Sequence, residues 1–311
     1  MIRRPHITRR LRAAVTVVAV AVTASGCSTF TDNDVAATTN GRELSIDDFN
    51  TIVADFPKLT PDATGADEFG EYSGDSLRDV LTRWVQATSL VTEVDGRGIV
   101  IDDATRDAAA AQYQASDTAT WTSLAPETQR FLVDYTVGRT ALLKDEAFIP
   151  ASTVESIYNS GVNVSGVLCI RIMAFDSEAE AAAARAQVQG GASFADIADE
   201  HPIDPTAAPN GGVFLDQQSG GPCLTAGNYA LLAQSVADAP VGEPGAPVPL
   251  DNFFFLIIQR PYAEVAAEAR TLIAPTIAQP LLAEVFSAAD VTVDSRYGMW
   301  DAESGTIVPT R

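Results

Sequence analysis

The spacing of apolar residues changes twice along the chain. Before residue 161 they recur three and four positions apart, as in helices with one buried face, for instance at Leu77, Val80, Leu81, Trp84 and Val85. Between residues 161 and 262 the apolar runs at 167–175 and 253–258 are short and typical of strands. From Val265 to Phe286 the helical spacing returns. This pattern predicts an α+β protein in which helical segments flank a mixed central module.

Turn and capping residues predict several element boundaries. Asn40-Gly41 is typical of a hairpin turn. Ser45, with Asp48 three residues later, has the spacing of a helix start, and Ser177 with Glu180 forms a full capping box. Each of these serines should accept a hydrogen bond from the backbone N–H three residues on.

Further boundaries divide the central module. Ser193 is expected to cap a short helix, and Gly211-Gly212 to precede a short strand at residues 213–215. A third helix is expected over residues 226–236, and residues 248–258 are expected to form a last hairpin.

The segment after the module, residues 263–311, is too short to form a core of its own. Pro275 and Pro280 are expected to kink or divide its helix. We therefore expect it to pack on the helices of residues 41–160. This predicts one discontinuous helical domain, into which the α+β module of residues 161–262 is inserted.

The amino terminus predicts an export signal. Residues 1–26 combine a basic start, an apolar stretch and small residues, which is the layout of a secretory signal peptide. The small residues before Cys27 resemble a bacterial lipobox, which predicts lipidation of Cys27 and a tether at residues 27–40. Several acyl chains would anchor the exported protein at the outer face of the cytoplasmic membrane. The alternatives are an uncleaved anchor and ordinary secretion with a chance cysteine.

The chain is strongly acidic. Its formal net charge of −21 becomes −26 without residues 1–26, because 15 basic residues then face 41 acidic ones. Such a surface repels nucleic acid, so no nucleic-acid partner is expected. His201 is the one histidine outside the leader, which excludes multi-histidine metal sites. No motif indicates a metal or cofactor, and no Gly-x-Ser-x-Gly elbow indicates a hydrolase.

Several short motifs of the module occur in a characteristic order. They are Glu178-Ala-Glu-Ala, Ser193-Phe-Ala-Asp-Ile-Ala, Ile203-Asp204-Pro205, Asn210-Gly-Gly and Val241-Gly-Glu. Together they resemble the parvulin-type peptidyl-prolyl isomerase domain. Asn40-Gly-Arg-Glu-Leu-Ser-Ile-Asp-Asp-Phe is similar to the amino-terminal domain of SurA- and PrsA-type extracytoplasmic foldases. The combined resemblance covers most of the chain after the leader.

The resemblance implies an apolar pocket that holds a proline and favours rotation of its amide bond, which has a barrier near ~20 kcal/mol. Asp204 falls on the family's aspartate or cysteine position and is the implied catalytic residue. The two family histidine positions fall on Cys169 and Leu256. The implied substrate-binding residues are Leu215, Leu232 and Phe255.

These substitutions decide which function the resemblance implies. With both histidines replaced, it implies a folding factor that binds extended exported polypeptides and whose isomerase activity is weak or lost. An active parvulin isomerase and a non-catalytic scaffolding lipoprotein are the alternatives.

Cys169 and Cys223 remain once Cys27 is lipidated. An even pair of cysteines in an exported domain favours a disulfide, which would close the loop between them. Two separate buried thiols are the alternative.

Overall fold

The computed structural model describes residues 34–60, 71–203, 206, 208–217 and 219–310. Helices and strands are mixed in these ranges, which confirms the α+β class. In chain order the helices are α1 (Ile46–Leu59), α2 (Gly74–Gly96), α3 (Asp103–Ser116), α4 (Thr118–Ser123), α5 (Pro126–Lys144), α6 (Ala151–Asn159), α7 (Val162–Ser165), α8 (Glu178–Gln189), α9 (Phe194–Glu200), α10 (Ala230–Val236) and α11 (Tyr262–Ser287).

The strands are short and form small antiparallel sheets. In chain order they are β1 (Val35–Thr39), β2 (Arg42–Ser45), β3 (Val167–Leu168), β4 (Ile170–Phe175), β5 (Leu224–Thr225), β6 (Val248–Leu250), β7 (Phe253–Gln259), β8 (Val291–Val293), β9 (Met299–Asp301) and β10 (Thr306–Val308). Within the described chain the sheet orders are β2-β1-β8, β10-β9, β3-β5 and β4-β7-β6.

The predicted helix starts are confirmed. Ser45 Oγ accepts the backbone N–H of Asp48 at 3.0 Å, and Ser177 and Ser193 cap α8 and α9 with the same three-residue spacing. The hairpin turn between β1 and β2 is also confirmed, with positive φ at Asn40 (50°) and Gly41 (79°).

The folded chain begins earlier than the expected tether allows. β1 lies inside residues 27–40, and Ala36 and Ala37 are almost fully buried. β1 pairs with β8 near the other end of the chain, for example Ala37 with Val293. The prediction of a tether over residues 27–40 is therefore wrong for residues 35–39, which form β1. The small side chains of Ala36 and Ala37 allow close packing against α1 and α2.

The segment after the module packs on the amino-terminal helices. The buried side chains of α11 share one apolar cluster with those of α2, α5 and α6, including Leu90, Leu142, Tyr158 and Ile273. Near the carboxyl end, the backbone N–H of Ile307 donates to Thr82 Oγ1 of α2 at 2.9 Å. Residues 34–311 form one compact unit, and the domain boundaries within it stay a prediction.

Helix α11 differs from expectation at its prolines. Its backbone leaves helical geometry at Val265, whose φ is −135°, and not at Pro275 or Pro280. The expected division of the helix at either proline is therefore wrong. α11 is apolar on several sides and packs against α2, α5 and α6, so tertiary contacts compensate for the hydrogen bonds that the prolines cannot donate.

The central module is built on the sheet β4-β7-β6. Ile172 faces Ile257 across the β4–β7 pair, and successive residues point to opposite sides. One face, carrying Met173 and Leu256, packs on α8 and α9, and the other, carrying Ile172 and Ile257, packs under α10.

Two expected elements of the module are shorter than predicted. Residues 213–215 do not form a strand, since Val213 alone bridges to Arg171 of β4. The expected helix at 226–236 begins as a 3-10 turn up to Tyr229 and becomes α10 after it. Gly227 at the start of this stretch favours the less regular geometry.

Of the helices in the described ranges, none is both long and apolar enough to span a bilayer. The predicted signal peptide and Cys27 lie outside the described residues.

Candidate functional site

Cys169 and Cys223 form a disulfide, with their Cα atoms 4.2 Å apart. Cys169 separates β3 from β4 and is fully buried, and Cys223 directly precedes β5. Both pack in the cluster that includes Tyr158 of α6 and Val265 of α11. The disulfide therefore lies where the module meets the helices, and Cys169 does not face a binding pocket.

Leu256 does not reach a pocket on the α10 face either. It is fully buried against α8 and α9, whereas its neighbours Phe255 and Ile257 lie on the opposite face under α10. Because side chains alternate along a strand, Leu256 and Phe255 cannot line the same pocket. Cys169 and Leu256, the residues at the two implied histidine positions, are thus both buried in core clusters, and neither lies on the face that carries Phe255.

The α10 face of the sheet carries an open apolar pocket of about 280 Å³, which we call the sheet pocket. Leu232 and Phe255, two of the three predicted binding residues, line it together. The full lining is Leu231, Leu232, Gln234, Ser235, Val248, Pro249, Leu250, Phe255 and Ile257.

Three exposed apolar side chains lie in or next to the lining of the sheet pocket, and sequence reasoning did not single them out. Leu231 on α10 is 68% exposed, and Leu250 and Phe253 at the β6–β7 turn are 41% and 45% exposed. Leu250 and Phe253 face each other across the turn, and the Phe253 ring centroid lies 6.4 Å from that of Phe255. Two large apolar residues flanking the turn residues Asp251 and Asn252 were the available signal, because such positions are usually polar.

The sheet pocket has no group suited to acid–base chemistry. None of its lining side chains titrates near neutral pH, and the hydroxyl of Ser235 donates to the carbonyl of Leu232 at 2.6 Å. Gln234 is the other polar side chain of the lining. Such a lining can bind apolar side chains by desolvation and dispersion, but it offers no proton donor or acceptor for catalysis.

Leu215 lies in a different pocket, of about 370 Å³, between α9 and the loop that follows it; we call this the loop pocket. Leu215 and Ile203 are about half exposed there, at 49% and 46%. Asp199 is the titratable residue of the lining, and its Oδ1 accepts the backbone N–H of Gly211 at 2.7 Å. The structure thus divides the three predicted binding residues between two pockets.

A hydrogen bond that sequence reasoning missed lies next to the loop pocket, whose lining includes Phe214. The hydroxyl of Tyr229 donates to Asp216 Oδ1 at 2.9 Å, and the Tyr229 ring makes an edge contact with Phe214. The hydrogen bond to Asp216 raises the pKa of Tyr229, so the phenol stays a donor. Nothing in the spacing of these two residues signals their contact, because it depends on the path of the loop between them.

Two further candidate residues are Asp204 and His201. Asp204, the implied catalytic residue, lies outside the described residues. His201 follows α9, is exposed, and packs its ring against Phe175 with centroids 4.6 Å apart. It lines neither the sheet pocket nor the loop pocket.

Fold and site together define a helical protein with an α+β module whose pocket is suited to binding apolar chain segments. Comparison with solved structures finds PrsA from Bacillus subtilis, at 17% identity over 74% of this chain and 93% of that chain, with a TM-score of 0.29. It also finds foldase protein PrsA from Lactococcus lactis, at 12% identity over 84% and 94% of the two chains, with a TM-score of 0.33. A SurA-like chaperone from Campylobacter jejuni matches at 11% identity over 84% and 99%, with a TM-score of 0.30.

The solved structures to which the chain is similar are thus PrsA foldases and SurA-like chaperones, the group that the sequence motifs indicate. No model of a known protein family matches the chain, and no curated protein matches it either. TM-scores this low support no functional argument, so only this chain's own residues bear on its function.

Proposed function

We propose that the protein is an extracytoplasmic folding factor that binds extended, apolar segments of exported polypeptides. The sheet pocket carries this proposal. Large apolar side chains are left exposed around an apolar depression, in a chain whose surface is otherwise strongly acidic. Contiguous exposed apolar surface of this kind marks interaction sites.

The binding chemistry follows from the lining. A client side chain placed between Leu231 and Phe253 would lose apolar contact with water, at about 25 cal/mol per Å² of buried area. The pocket makes no demand for a particular polar group, so it would accept many apolar sequences. The net charge keeps copies of the protein apart while they hold aggregation-prone clients.

Aggregation of a reduced, unfolded client such as α-lactalbumin tests this proposal by light scattering. The parent protein should suppress aggregation, and the double variant Leu231→Asp, Phe253→Asp should need at least about tenfold more protein for the same effect. Met299→Asp is the matched control, because Met299 is 50% exposed on the terminal hairpin β9–β10, outside the sheet pocket. An equal loss of aggregation suppression in the control, or no loss in the double variant, would show that the sheet pocket does not bind the client.

We propose further that isomerase activity is weak or lost. The support is that Cys169 lies in the disulfide, that Leu256 is buried on the other sheet face, and that the sheet-pocket lining has no titratable group. A protease-coupled proline-peptide assay should show little acceleration over the uncatalysed rate. Clear acceleration that Asp204→Ala abolishes would instead establish an active isomerase.

Membrane attachment through Cys27 completes the proposal. The layout of residues 1–27 supports it. Expressed in a bacterium with its own leader, the protein should fractionate with membranes, and Cys27→Ala should release it into the soluble extracytoplasmic fraction. Equal membrane retention of both forms would instead indicate an uncleaved anchor.

A further inference from the structure

Two cavities lie on either side of α5, far along the chain from the sheet pocket. One, of about 550 Å³, lies between α3 and α5, and the other, of about 370 Å³, lies between α5 and α11. Thr140 and Lys144, both exposed on α5, line both cavities. The two cavities are therefore neighbours that share these residues between them, and we call the pair the α5 furrow.

Both ends of the α5 furrow are apolar. Val100 is 87% exposed at the α3 end, where Ile101 and Val137 also contribute. Ala274 and Pro275 of α11 line the other end. An exposed valine at the mouth of an apolar cavity is a favourable contact for an apolar side chain from a partner.

The middle of the α5 furrow carries unneutralised positive charge. Lys144 makes no hydrogen bond or ion pair with any residue in the part of the chain that the structure describes. Arg270 donates from Nε and Nη2 to the carbonyls of Leu143, Asp145 and Ile149, at 3.0, 3.1 and 2.8 Å. It forms no salt bridge with a carboxylate among the described residues, and its Nη1 is buried without a partner, so Arg270 contributes its charge to the α11 side of the furrow.

The one carboxylate in the lining is already neutralised. Asp145 accepts from Arg97 at 3.2 Å and from the backbone N–H of Ala147 at 3.0 Å. No acidic side chain lines the cavity between α5 and α11. In a chain of net charge −21, a depression lined by two cations that pair with no carboxylate among the described residues is complementary to an anionic group.

The dimensions suit an extended peptide. Packed helices lie about 8–10 Å apart, so the distance from α3 across α5 to α11 is at most about 16–20 Å. At about 3.3 Å per residue this corresponds to roughly five or six residues of extended chain. The central residue of such a segment would lie above Lys144.

We propose that the α5 furrow is a second client site, which selects extended segments with an acidic residue between two apolar ones. This inference rests on the proposed function, since it concerns the same kind of client. The apolar residues fill the cavities at the two ends, the carboxylate receives a charge-assisted hydrogen bond from Lys144, and the nearby charge of Arg270 attracts it.

Fluorescence anisotropy with two labelled heptapeptides tests the proposal on the protein without its leader. Both peptides have leucine near each end, and they differ only in a central glutamate or lysine. The glutamate peptide should bind roughly three- to tenfold more tightly. Lys144→Glu should reverse this order, because the furrow then presents a negative charge at its middle.

Arg139→Glu is the control, since Arg139 is also on α5 and without a partner among the described residues but lines neither cavity. It makes the same charge change and should leave the preference for glutamate intact. Circular dichroism should show that both variants are folded, because both substitutions lie outside the buried core.

Three results would overturn the proposal: equal binding of the two peptides, a preference unchanged by Lys144→Glu, or an equal effect of Arg139→Glu. A large excess of dodecanoate should displace neither peptide. Competition by the fatty acid would assign the furrow to an amphiphilic anion instead. Suppose that the parent protein suppresses aggregation, that the double variant Leu231→Asp, Phe253→Asp loses this effect, and that the two peptides bind equally. In that case the α5 furrow inference fails and the proposed function stands.

Discussion

Phe255 and Leu256 are adjacent in β7 but belong to opposite faces of the central sheet. Phe255 lines the sheet pocket under α10, and Leu256 is fully buried against Met173 and the helices α8 and α9. The family position on which Leu256 falls is therefore occupied here by a core residue. One of these consecutive residues thus lines a pocket, and the other lies in the core.

We therefore expect substitutions at these two neighbouring residues to affect different properties, stability at Leu256 and client binding at Phe255. Leu256→Ala should lower the free energy of unfolding by about 2–5 kcal/mol, because it leaves a cavity in a packed core, and should leave client affinity of the folded protein unchanged. Phe255→Ser should weaken client binding at a smaller cost in stability, because Phe255 is half-buried. Urea denaturation and client anisotropy measure the two effects. Reduced client affinity of folded Leu256→Ala would show that Leu256 reaches the sheet pocket after all.

Local features of this fold are readable from the sequence because they depend on residues close together in the chain. Ser45, Ser177 and Ser193 cap helices as predicted, and Asn40-Gly41 forms the predicted hairpin. Each requires only a side chain and a backbone group three residues away, or a turn that needs positive φ.

The candidate site was harder to predict because it depends on which face a residue takes and on what packs against it. The alternation of side chains along a strand separates Phe255 from Leu256, but it does not say which of the two faces the core. The contact of Arg171 with Glu264, at 2.9 Å, joins β4 to the start of α11 across ninety-three positions. No local pattern signals such a contact, and the same holds for the cations of the α5 furrow.

The disulfide should contribute to stability more than to binding. It closes a loop of sequence separation 54, for which the chain-entropy model gives roughly 4 kcal/mol. Because Cys169 is fully buried and Cys223 almost so, the disulfide should resist reductant in the folded protein, and neither cysteine should be alkylated while it is paired. The double variant Cys169→Ala, Cys223→Ala should lower the free energy of unfolding, measured by urea denaturation, by a similar amount and should retain client binding. Free thiols in the unfolded, unreduced parent protein would contradict the pairing.

Gly212 should tolerate substitution less well than Gly220. Both have positive φ, +72° and +68°, so alanine at either costs about 1–3 kcal/mol in backbone strain. At Gly212 an added Cβ would also lie 2.6 Å from the carbonyl oxygen of Ile172, whereas nothing lies within 4 Å at Gly220. Gly212→Ala should therefore destabilise clearly more than Gly220→Ala in thermal melts. Equal losses would mean that the loop moves away from β4 without cost.

Asp55 should make stability depend on acidic pH. This carboxylate is 5% exposed in α1; Oδ1 accepts from Lys58 at 2.6 Å, and Oδ2 accepts from the backbone N–H of Ala125 and from Thr128 at 2.7 and 2.8 Å. Burial acts to raise the pKa of Asp55, but these hydrogen bonds outweigh it and hold the pKa below its ordinary value of 3.8.

Since the pKa is lower in the folded than in the unfolded chain, the charged carboxylate stabilises the fold above pH 3.8, and this contribution is lost as the pH falls below that value. Asp55→Asn should lower stability at neutral pH by about 1–3 kcal/mol and flatten the decline in acid. Urea unfolding across this range measures both, with Asp47→Asn on the exposed side of α1 as the control. An acid decline as steep in Asp55→Asn as in the parent protein would place its origin in other carboxylates.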